Sequence, residues 1–332
     1  MSELAIAAFA AAANSHVVSR PRERRFARFV TEFDERGYRR GLALRGFRFL
    51  ARSDAAFPPL LGAIHDPPAG LFLRGEADPA LLVRPAVAIV GARACSAYGR
   101  SVARMLGREL ASAGLVVVSG LARGVDGEAH RGALEGGGTT VAVLGCGIDR
   151  DYPAAHARLA AEIADSDTGL VVSEYAPGVE PAPWRFPARN RIVAGLAAAT
   201  VVVEAREGSG ALITADFALE EGREVLAVPG EITSTLSAGS NALLRLGATP
   251  LTRPEDVLEL FGLERVQAEA AAVGPVAQAV LERLQEEPRD ADALGRATGL
   301  GAGEVAAALA ELELAALVAA DAGVYRGVMP PG

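Results

Sequence analysis

Six short apolar runs alternate with helical stretches between residues 86 and 230, and this alternation is the strongest restriction on the fold. The runs lack a polar–apolar alternation, which is typical of parallel strands buried on both faces of a sheet. Strands separated by helices connect through right-handed crossovers, so the pattern predicts an α/β fold with a doubly wound, mostly parallel sheet. Ligands of such folds bind at the carboxyl edge of the sheet. The predicted strands cover residues 86–91, 115–120, 140–145, 169–174, 200–205 and 224–230.

The segments on either side of this alternation have a different character. Residues 1–56 are rich in arginine and helical in pattern, so they predict a small accessory domain. A proline-dense segment opens the predicted main domain, residues 57–262. Residues 271–328 show three helices followed by a hairpin, which is the pattern of a winged-helix domain.

Charge narrows the functional classes. The chain has 33 basic residues, all of them arginine, and a net charge of −8. The lack of lysine excludes a Walker A loop, the ATP-binding lysine of protein kinases and Schiff-base catalysis. Residues 271–332 carry four arginines against nine acids, which favours a protein-interaction or structural role there over duplex-DNA recognition.

The sequence shows no sign of a membrane segment or a metal site. No apolar run reaches the roughly 18–20 residues that span a bilayer, and the acidic start of the chain is unlike a signal peptide. Cys95 and Cys146 match no redox or metal-ligand spacing. We therefore expect a cytoplasmic protein that needs no metal and no cofactor. The four histidines are scattered along the chain: His16, His65, His130 and His156.

Two turns that follow predicted strands are suited to bind an anion. Gly91 and Arg93 follow the first strand, where backbone N–H groups and the start of a helix face the same space. Gly208, Ser209 and Gly210 follow the fifth strand and offer a hydroxyl beside several N–H groups. The first turn lacks the glycine fingerprint of a dinucleotide site, so Arg93 is either a phosphate ligand or an ordinary surface arginine.

A third turn, SGLARGVDGEAH, raises the question of catalysis. Asp126 is placed to cap a helix, and His130 follows it by one helical turn. The two side chains are either an acid–base pair or a device that fixes the turn, and the second interpretation is favoured.

The stretch RFPARNRIVAG gathers arginines and an aromatic ring just before an apolar helix. Most such clusters are solvated loops that cap a helix. Arginines at a helix start, however, oppose the helix dipole unless an anion lies among them. Several separated phosphate sites along one sheet edge, with a ring to stack a base, suit a single strand of nucleic acid. The candidate residues of this stretch are Arg185, Phe186, Arg189, Asn190 and Arg191.

Seven motifs of the chain resemble, in order and spacing, those of the DNA-processing protein A (DprA, also called Smf) family. Among them are VAIVGARACSAYG, FPARNRIVAGL and SAGSNALLRLGA. The resemblance covers about residues 57–262. It implies an extended Rossmann-like fold that binds single-stranded DNA, forms a homodimer and helps to load the RecA recombinase onto incoming DNA in natural transformation. It implies no catalysis.

Carried over motif by motif, the resemblance assigns DNA contacts to the arginine after the first strand, the arginine-rich motif and the Gly-Ser-Gly turn. Members of the family often carry lysines near the pocket, and here Arg185 or another arginine must replace them. The main alternative is a related Rossmann-type enzyme, a phosphoribohydrolase of nucleoside monophosphates, although the turn GSGALITA lacks the pattern of that group. A third alternative is a protein-binding adaptor. The implied DNA-binding residues are Gly91, Arg93, Phe186, Arg189, Asn190, Arg191, Gly208, Ser209 and Gly210.

Overall fold

The computed structural model describes residues 2–12, 24–264, 273–315, 317–321 and 323–327. Contacts divide the chain into two compact units, residues 1–265 and 266–332. Some of the predicted features lie outside the described residues: His16, most of the linker between residues 262 and 271, and residue 328. The domain boundary at residue 56 stays a prediction.

The described part of the first unit contains one nine-stranded sheet. All six strands predicted from the apolar runs are present, each ending one to three residues before the predicted end. Two further strands precede them, and a two-residue strand follows. The strands are β1 (Phe47–Ala51), β2 (Gly70–Arg74), β3 (Ala86–Val90), β4 (Val116–Ser119), β5 (Thr139–Leu144), β6 (Gly169–Ser173), β7 (Ala199–Val202), β8 (Glu224–Ala227) and β9 (Thr249–Pro250).

The strand order confirms the doubly wound, mostly parallel sheet. It runs β1-β2-β6-β5-β4-β3-β7-β8-β9, and every pair from β6 to β9 is parallel. The chain winds outward from β3 to β6, then returns across the sheet to β7 on the other side of β3. The switch between β3 and β7 opens a crevice at the carboxyl edge, where ligands of such sheets bind. β1 and β2 extend the sheet in the antiparallel sense.

Helices cover the sheet. The mean hydropathy is +0.23, and none of the helices in the described residues is long and apolar enough to cross a membrane. The helices of the first unit are α1 (Glu3–Ala12), α2 (Arg24–Glu32), α3 (Glu35–Leu44), α4 (Pro59–Gly62), α5 (Ala97–Ser112), α6 (Val125–Glu135), α7 (Ala157–Asp165), α8 (Arg185–Leu196), α9 (Gly210–Glu220), α10 (Ala238–Arg245) and α11 (Glu255–Leu258).

The central strands are buried on both faces, which explains their unbroken apolar sequence. In β3, Val87 and Ile89 pack against α5 and α6, whereas Ala88 and Val90 pack in the core beneath α8 and α9. Helices α8 and α9 therefore lie on the same face of the sheet and bring their N-terminal ends to the same crevice.

The second unit has the predicted winged-helix pattern of three helices followed by a hairpin. Its core is formed by apolar side chains such as Leu281, Leu294 and Leu309, and Asp290 caps the middle helix by accepting a hydrogen bond from Ala293 N. Its elements are α12 (Pro275–Glu286), β10 (Arg289–Asp290), α13 (Ala291–Thr298), α14 (Ala302–Leu314), β11 (Val318–Asp321) and β12 (Val324–Gly327).

Candidate nucleic-acid interface

A cavity of about 630 Å³ opens at the carboxyl edge of the sheet, in the crevice between β3 and β7. It collects residues from the loops that follow the six strands β3 to β8 and from the helices α6, α8 and α9, which are far apart in the sequence. Of the predicted site residues, Arg185, Arg191 and Gly208 do not line it. Those that do are Gly91, Arg93, Phe186, Arg189, Asn190, Ser209 and Gly210.

The helix start after β3 is already occupied by a carboxylate of the protein itself. Ser96 caps α5 by accepting a hydrogen bond from Gly99 N. The Glu204 carboxylate accepts hydrogen bonds from Ser96 N at 2.9 Å and from Ser96 Oγ at 2.5 Å. Glu204 is 4% exposed. The anion expected at this helix N-terminus is therefore supplied internally, and the loop presents the exposed Arg93 side chain to the cavity instead.

Glycines allow the loops of the cavity to approach one another. A Cβ atom on Gly91 would lie 2.6 Å from Cγ2 of Val125, so only glycine fits between β3 and α6. A Cβ atom on Gly145 would lie 2.8 Å from Cδ1 of Phe186. The loop after β5 thus passes directly beneath the Phe186 ring.

Helix α8 begins earlier than the sequence suggested. The sequence places the arginine-rich stretch just before an apolar helix, whereas in the structure the stretch is part of α8, which starts at Arg185, so only Arg185 lies in the first turn. The dipole argument for an anion therefore applies to Arg185 alone. That side chain is buried, donates to Glu180 O at 2.6 Å and lies over the Trp184 ring at 4.5 Å. It supports the helix start from behind the cavity.

Arg189 forms part of the cavity floor. Its guanidinium donates hydrogen bonds to Gly120 O at 2.7 Å and to Val143 O, which joins the ends of β4 and β5 to α8. Only 4% of the residue is exposed. Burial lowers the pKa of Arg189, and the nearby Asp126 carboxylate acts in the opposite direction.

Asp126 and His130 do not form an acid–base pair. Asp126 accepts hydrogen bonds from Gly120 N and Ala122 N, so it fixes the loop after β4 rather than capping α6. Burial raises its pKa, and Arg189 lowers it. His130 Nδ1 lies 2.7 Å from Thr140 Oγ1. Because Thr140 donates its own proton to Val117 O, the His130 ring donates to Thr140.

Arg191 has carboxylate partners away from the cavity. Its Nη2 lies 2.5 Å from Glu174 Oε1, and its Nε lies 3.2 Å from Asp66 Oδ2. Burial lowers the pKa of Arg191, but these two carboxylates outweigh it and raise the value. The charge of Arg191 is thus largely balanced within the fold.

The Phe186 ring contacts both a cation and a second aromatic ring. Arg93 Cζ is 5.5 Å from the Phe186 ring centroid. The Tyr152 ring is stacked against Phe186 with a centroid distance of 5.1 Å and an interplanar angle of 25°. Cation, ring and ring form a continuous strip along the rim, which we call the rim stack (Arg93, Phe186, Tyr152).

Polar groups line the opposite wall. Asn190 Nδ2 donates to Gly210 O at 2.9 Å and so fixes the start of α9. Ser209 is the N-cap residue of α9, yet its hydroxyl makes no capping bond, and its buried Oγ has no hydrogen-bond partner among the described residues. Gly208 has a φ of +70°, which favours glycine and lets the turn present Ser209 to the cavity.

Sequence reasoning did not single out two exposed residues of the cavity wall, Tyr152 and Arg206. Arg206 comes four residues after the end of β7, so the rule that ligand residues follow parallel strands would have found it. Tyr152 lies at the end of a long loop after β5, and no local pattern marks it. Within the described part of the chain, no three His, Cys, Asp or Glu residues are placed to hold a metal ion.

Comparison with protein families gives two matches. Residues 48–262 match the model of DNA recombination-mediator protein A, and residues 264–323 match that of the DprA winged helix domain. The protein Smf of Escherichia coli is 41% identical over 280 residues, covering 81% of this chain and 74% of that protein. The DNA processing protein DprA of Streptococcus pneumoniae is 47% identical over 208 residues, covering 63% of this chain and 72% of that protein.

The chain is also similar to solved structures. The X-ray structure of DprA from Streptococcus pneumoniae superposes with a TM-score of 0.66 at 37% identity, covering 79% of this chain and 93% of that one. A structure of DNA processing protein A from Helicobacter pylori, described for its single-stranded DNA binding mode, gives a TM-score of 0.58 at 31% identity and covers 65% of this chain and 95% of that one.

Proposed function

The chain belongs to the DNA recombination-mediator protein A (DprA, or Smf) family of DNA-processing proteins, and we propose that it binds single-stranded DNA in the cavity at the carboxyl edge of its sheet. The observation that carries the proposal is the convergence of an exposed arginine, an aromatic ring and an unpaired hydroxyl in one cavity. A base stacks on a ring regardless of its identity, and arginines bind the phosphates between bases.

Two exposed arginines add positive charge to the cavity beside the buried Arg189. Arg93 and Arg206 both line it, from the loops after β3 and β7, on either side of the switch point. The cavity as a whole is set in a chain of net charge −8, so the favourable potential is local. This arrangement suits a strand that enters at one arginine and leaves at the other.

The cavity favours binding over catalysis. Asp126 is the one carboxylate among the described residues that line it, and its Oδ2 is held by two backbone N–H groups. It is not free to activate water or to attack a sugar. We therefore propose a non-enzymatic role, and the phosphoribohydrolase alternative has no general acid or base to rely on.

The wider role follows from the family. We propose that the protein acts in the cytoplasm as a homodimer and helps to load the RecA recombinase onto the strand that it holds in natural transformation. Family membership alone supports the homodimer. For RecA there is a second support, the acidic winged-helix unit, whose charge suits a protein partner better than DNA.

A direct test compares ligands on the parent protein. Fluorescence anisotropy with labelled oligothymidine is expected to show tight binding, with a much weaker response to a duplex of the same length. AMP is expected to remain intact when its products are followed by chromatography. Release of ribose phosphate from AMP, or binding that prefers the duplex, would contradict the proposal. Loading is tested by RecA assembly on oligomers coated with a single-strand-binding protein.

A further inference from the structure

Tyr152 is an exposed aromatic ring held in place at the rim of the cavity. The residue is 43% exposed, and its ring is stacked on Phe186. An exposed aromatic side chain on a loop normally loses rotamer freedom when it binds a ligand, and this loss of conformational entropy weakens binding. Here the stack on Phe186 already restricts the ring.

The loop that carries Tyr152 is itself fixed by two acidic residues that precede the ring. Asp149 accepts hydrogen bonds from Gly178 N and from the Arg45 guanidinium, both at 2.8 Å. Asp151, the neighbour of Tyr152, pairs with Arg74 at 2.9 Å. The rim position of the ring is therefore set by contacts that reach β2 and the end of α3.

Phe186 is not open to a base in the way that Tyr152 is. The Phe186 ring is in contact with the Arg93 guanidinium and with the Tyr152 ring. A base that stacks on Phe186 must displace one of these groups. A base that stacks on Tyr152 uses a ring surface that is already exposed.

From these contacts we infer that Tyr152 is a second base-stacking residue, which extends the site by one nucleotide beyond Phe186. The inference rests on the proposed binding of single-stranded DNA and specifies how many bases the rim stack holds. One base stacks on the exposed surface of Tyr152, and its neighbour takes the place of the Arg93 guanidinium on Phe186, so that Arg93 holds the phosphate of that neighbour.

The test separates base stacking from a supporting role. Each variant is titrated with oligothymidine and with an abasic oligomer of the same length, which keeps the phosphates and lacks the bases. Tyr152→Leu is expected to weaken binding of oligothymidine about tenfold, the order of one lost base stack, and to leave binding of the abasic oligomer within about twofold. Tyr152→Phe keeps the stack and is expected to bind like the parent. Tyr98→Leu, at an exposed tyrosine on α5 that lies outside the cavity, is the matched control.

A measurement on the parent protein needs no variant. Irradiation of a complex with an oligomer containing 5-iodouracil cross-links aromatic side chains that stack on the modified base, and mass spectrometry of the peptides is expected to find Tyr152. Cross-links confined to other residues would overturn the inference.

The outcomes also distinguish the inference from the proposal on which it rests. A parent protein that binds neither oligomer overturns both. If the parent binds oligothymidine but Tyr152→Leu binds it equally well, the stacking role is wrong and the DNA site stands. Equal losses on oligothymidine and on the abasic oligomer would likewise overturn it, because a supporting residue weakens phosphate contacts too.

Discussion

The Arg191 guanidinium and the Glu174 carboxylate form a buried ion pair at 2.5 Å, with 10% and 2% of their side chains exposed. Glu174 directly follows β6, and Arg191 lies in the middle of α8. The pair ties the helix to the strand from which the chain turns back across the sheet. Arg191 is thus engaged by the fold, although its sequence context resembles that of a phosphate ligand.

We expect Arg191→Ala to lower the free energy of unfolding by about 3 kcal/mol, because it removes the guanidinium that pairs with the buried Glu174 carboxylate. Urea unfolding measures the loss. The folded variant is expected to bind oligothymidine with the same salt dependence as the parent protein. A shallower salt dependence at unchanged stability would show that Arg191 contacts phosphate after all.

Arg93→Ala is expected to leave the stability of the protein nearly unchanged and to weaken the salt dependence of DNA binding. Removing one phosphate contact to a single strand reduces the slope of log affinity against log salt by about 0.7, and it does so for every base sequence. Anisotropy titrations between low and moderate salt measure the slope. Arg158→Ala, at a side chain of α7 that is 93% exposed and outside the cavity, serves as the control. Parent-like affinity and slope in Arg93→Ala would rule out the edge cavity as the DNA site.

Phe186→Ala is expected to cost roughly 1–3 kcal/mol of binding free energy, the range for a lost base stack, with a nearly unchanged salt slope. The ring also supports Tyr152 and Arg93, so thermal melts must first show that the variant is folded. A slope reduced as far as in Arg93→Ala would mean that the ring acts by positioning the arginine.

His130 is expected to make stability depend on pH. Burial lowers its pKa from 6.5 to about 3, so the native state keeps the ring neutral where the unfolded chain protonates it. Its contribution is complete above pH 6.5 and is lost as the pH falls towards 3, by up to about 1.4 kcal/mol per pH unit. Urea unfolding of the parent and of His130→Asn between pH 5 and 7.5 measures the difference. An equally steep decline in the variant would assign it to other groups.

A chain that ends near Leu263 is expected to keep its affinity for oligothymidine within a few-fold. The second unit has its own core, and its sequence carries a net negative charge that repels phosphates. The first unit likewise retains its sheet and cavity. A hundredfold loss of affinity in a shortened chain that still melts cooperatively would place the winged helix in the site.

The central strands of the sheet were predictable because a strand that is buried on both faces has an unbroken run of apolar residues. The strands that the sequence did not predict lack a clear run of this kind. β1 has one arginine between two phenylalanines and directly follows the arginine-rich helical segment, and β9 has only two residues. β2 lies in a proline-dense stretch that hides its apolar run.

Ligand-binding residues of a parallel sheet follow the carboxyl ends of its strands, and this rule indicated where the site residues would lie. It did not indicate which residues their side chains would contact. Arg189 and Arg191 are two residues apart on a helix, so they point about 200° away from each other. One reaches backbone oxygens of β4 and β5, and the other reaches Glu174. Such partners are distant in sequence and depend on where α8 crosses the sheet, which no local pattern records.

The strand order also has a consequence during synthesis of the protein. β3 pairs with β4 on one side and with β7 on the other. β7 is synthesised much later than β4, because roughly 110 residues lie between β3 and β7. At about 5–20 residues per second a ribosome needs on the order of ten seconds to supply them. Throughout that interval the nascent chain carries an apolar strand with one open edge, which is a template for wrong pairing. A chain released before residue 199 has been added would therefore be prone to aggregate and would lack the wall of the cavity that follows β7.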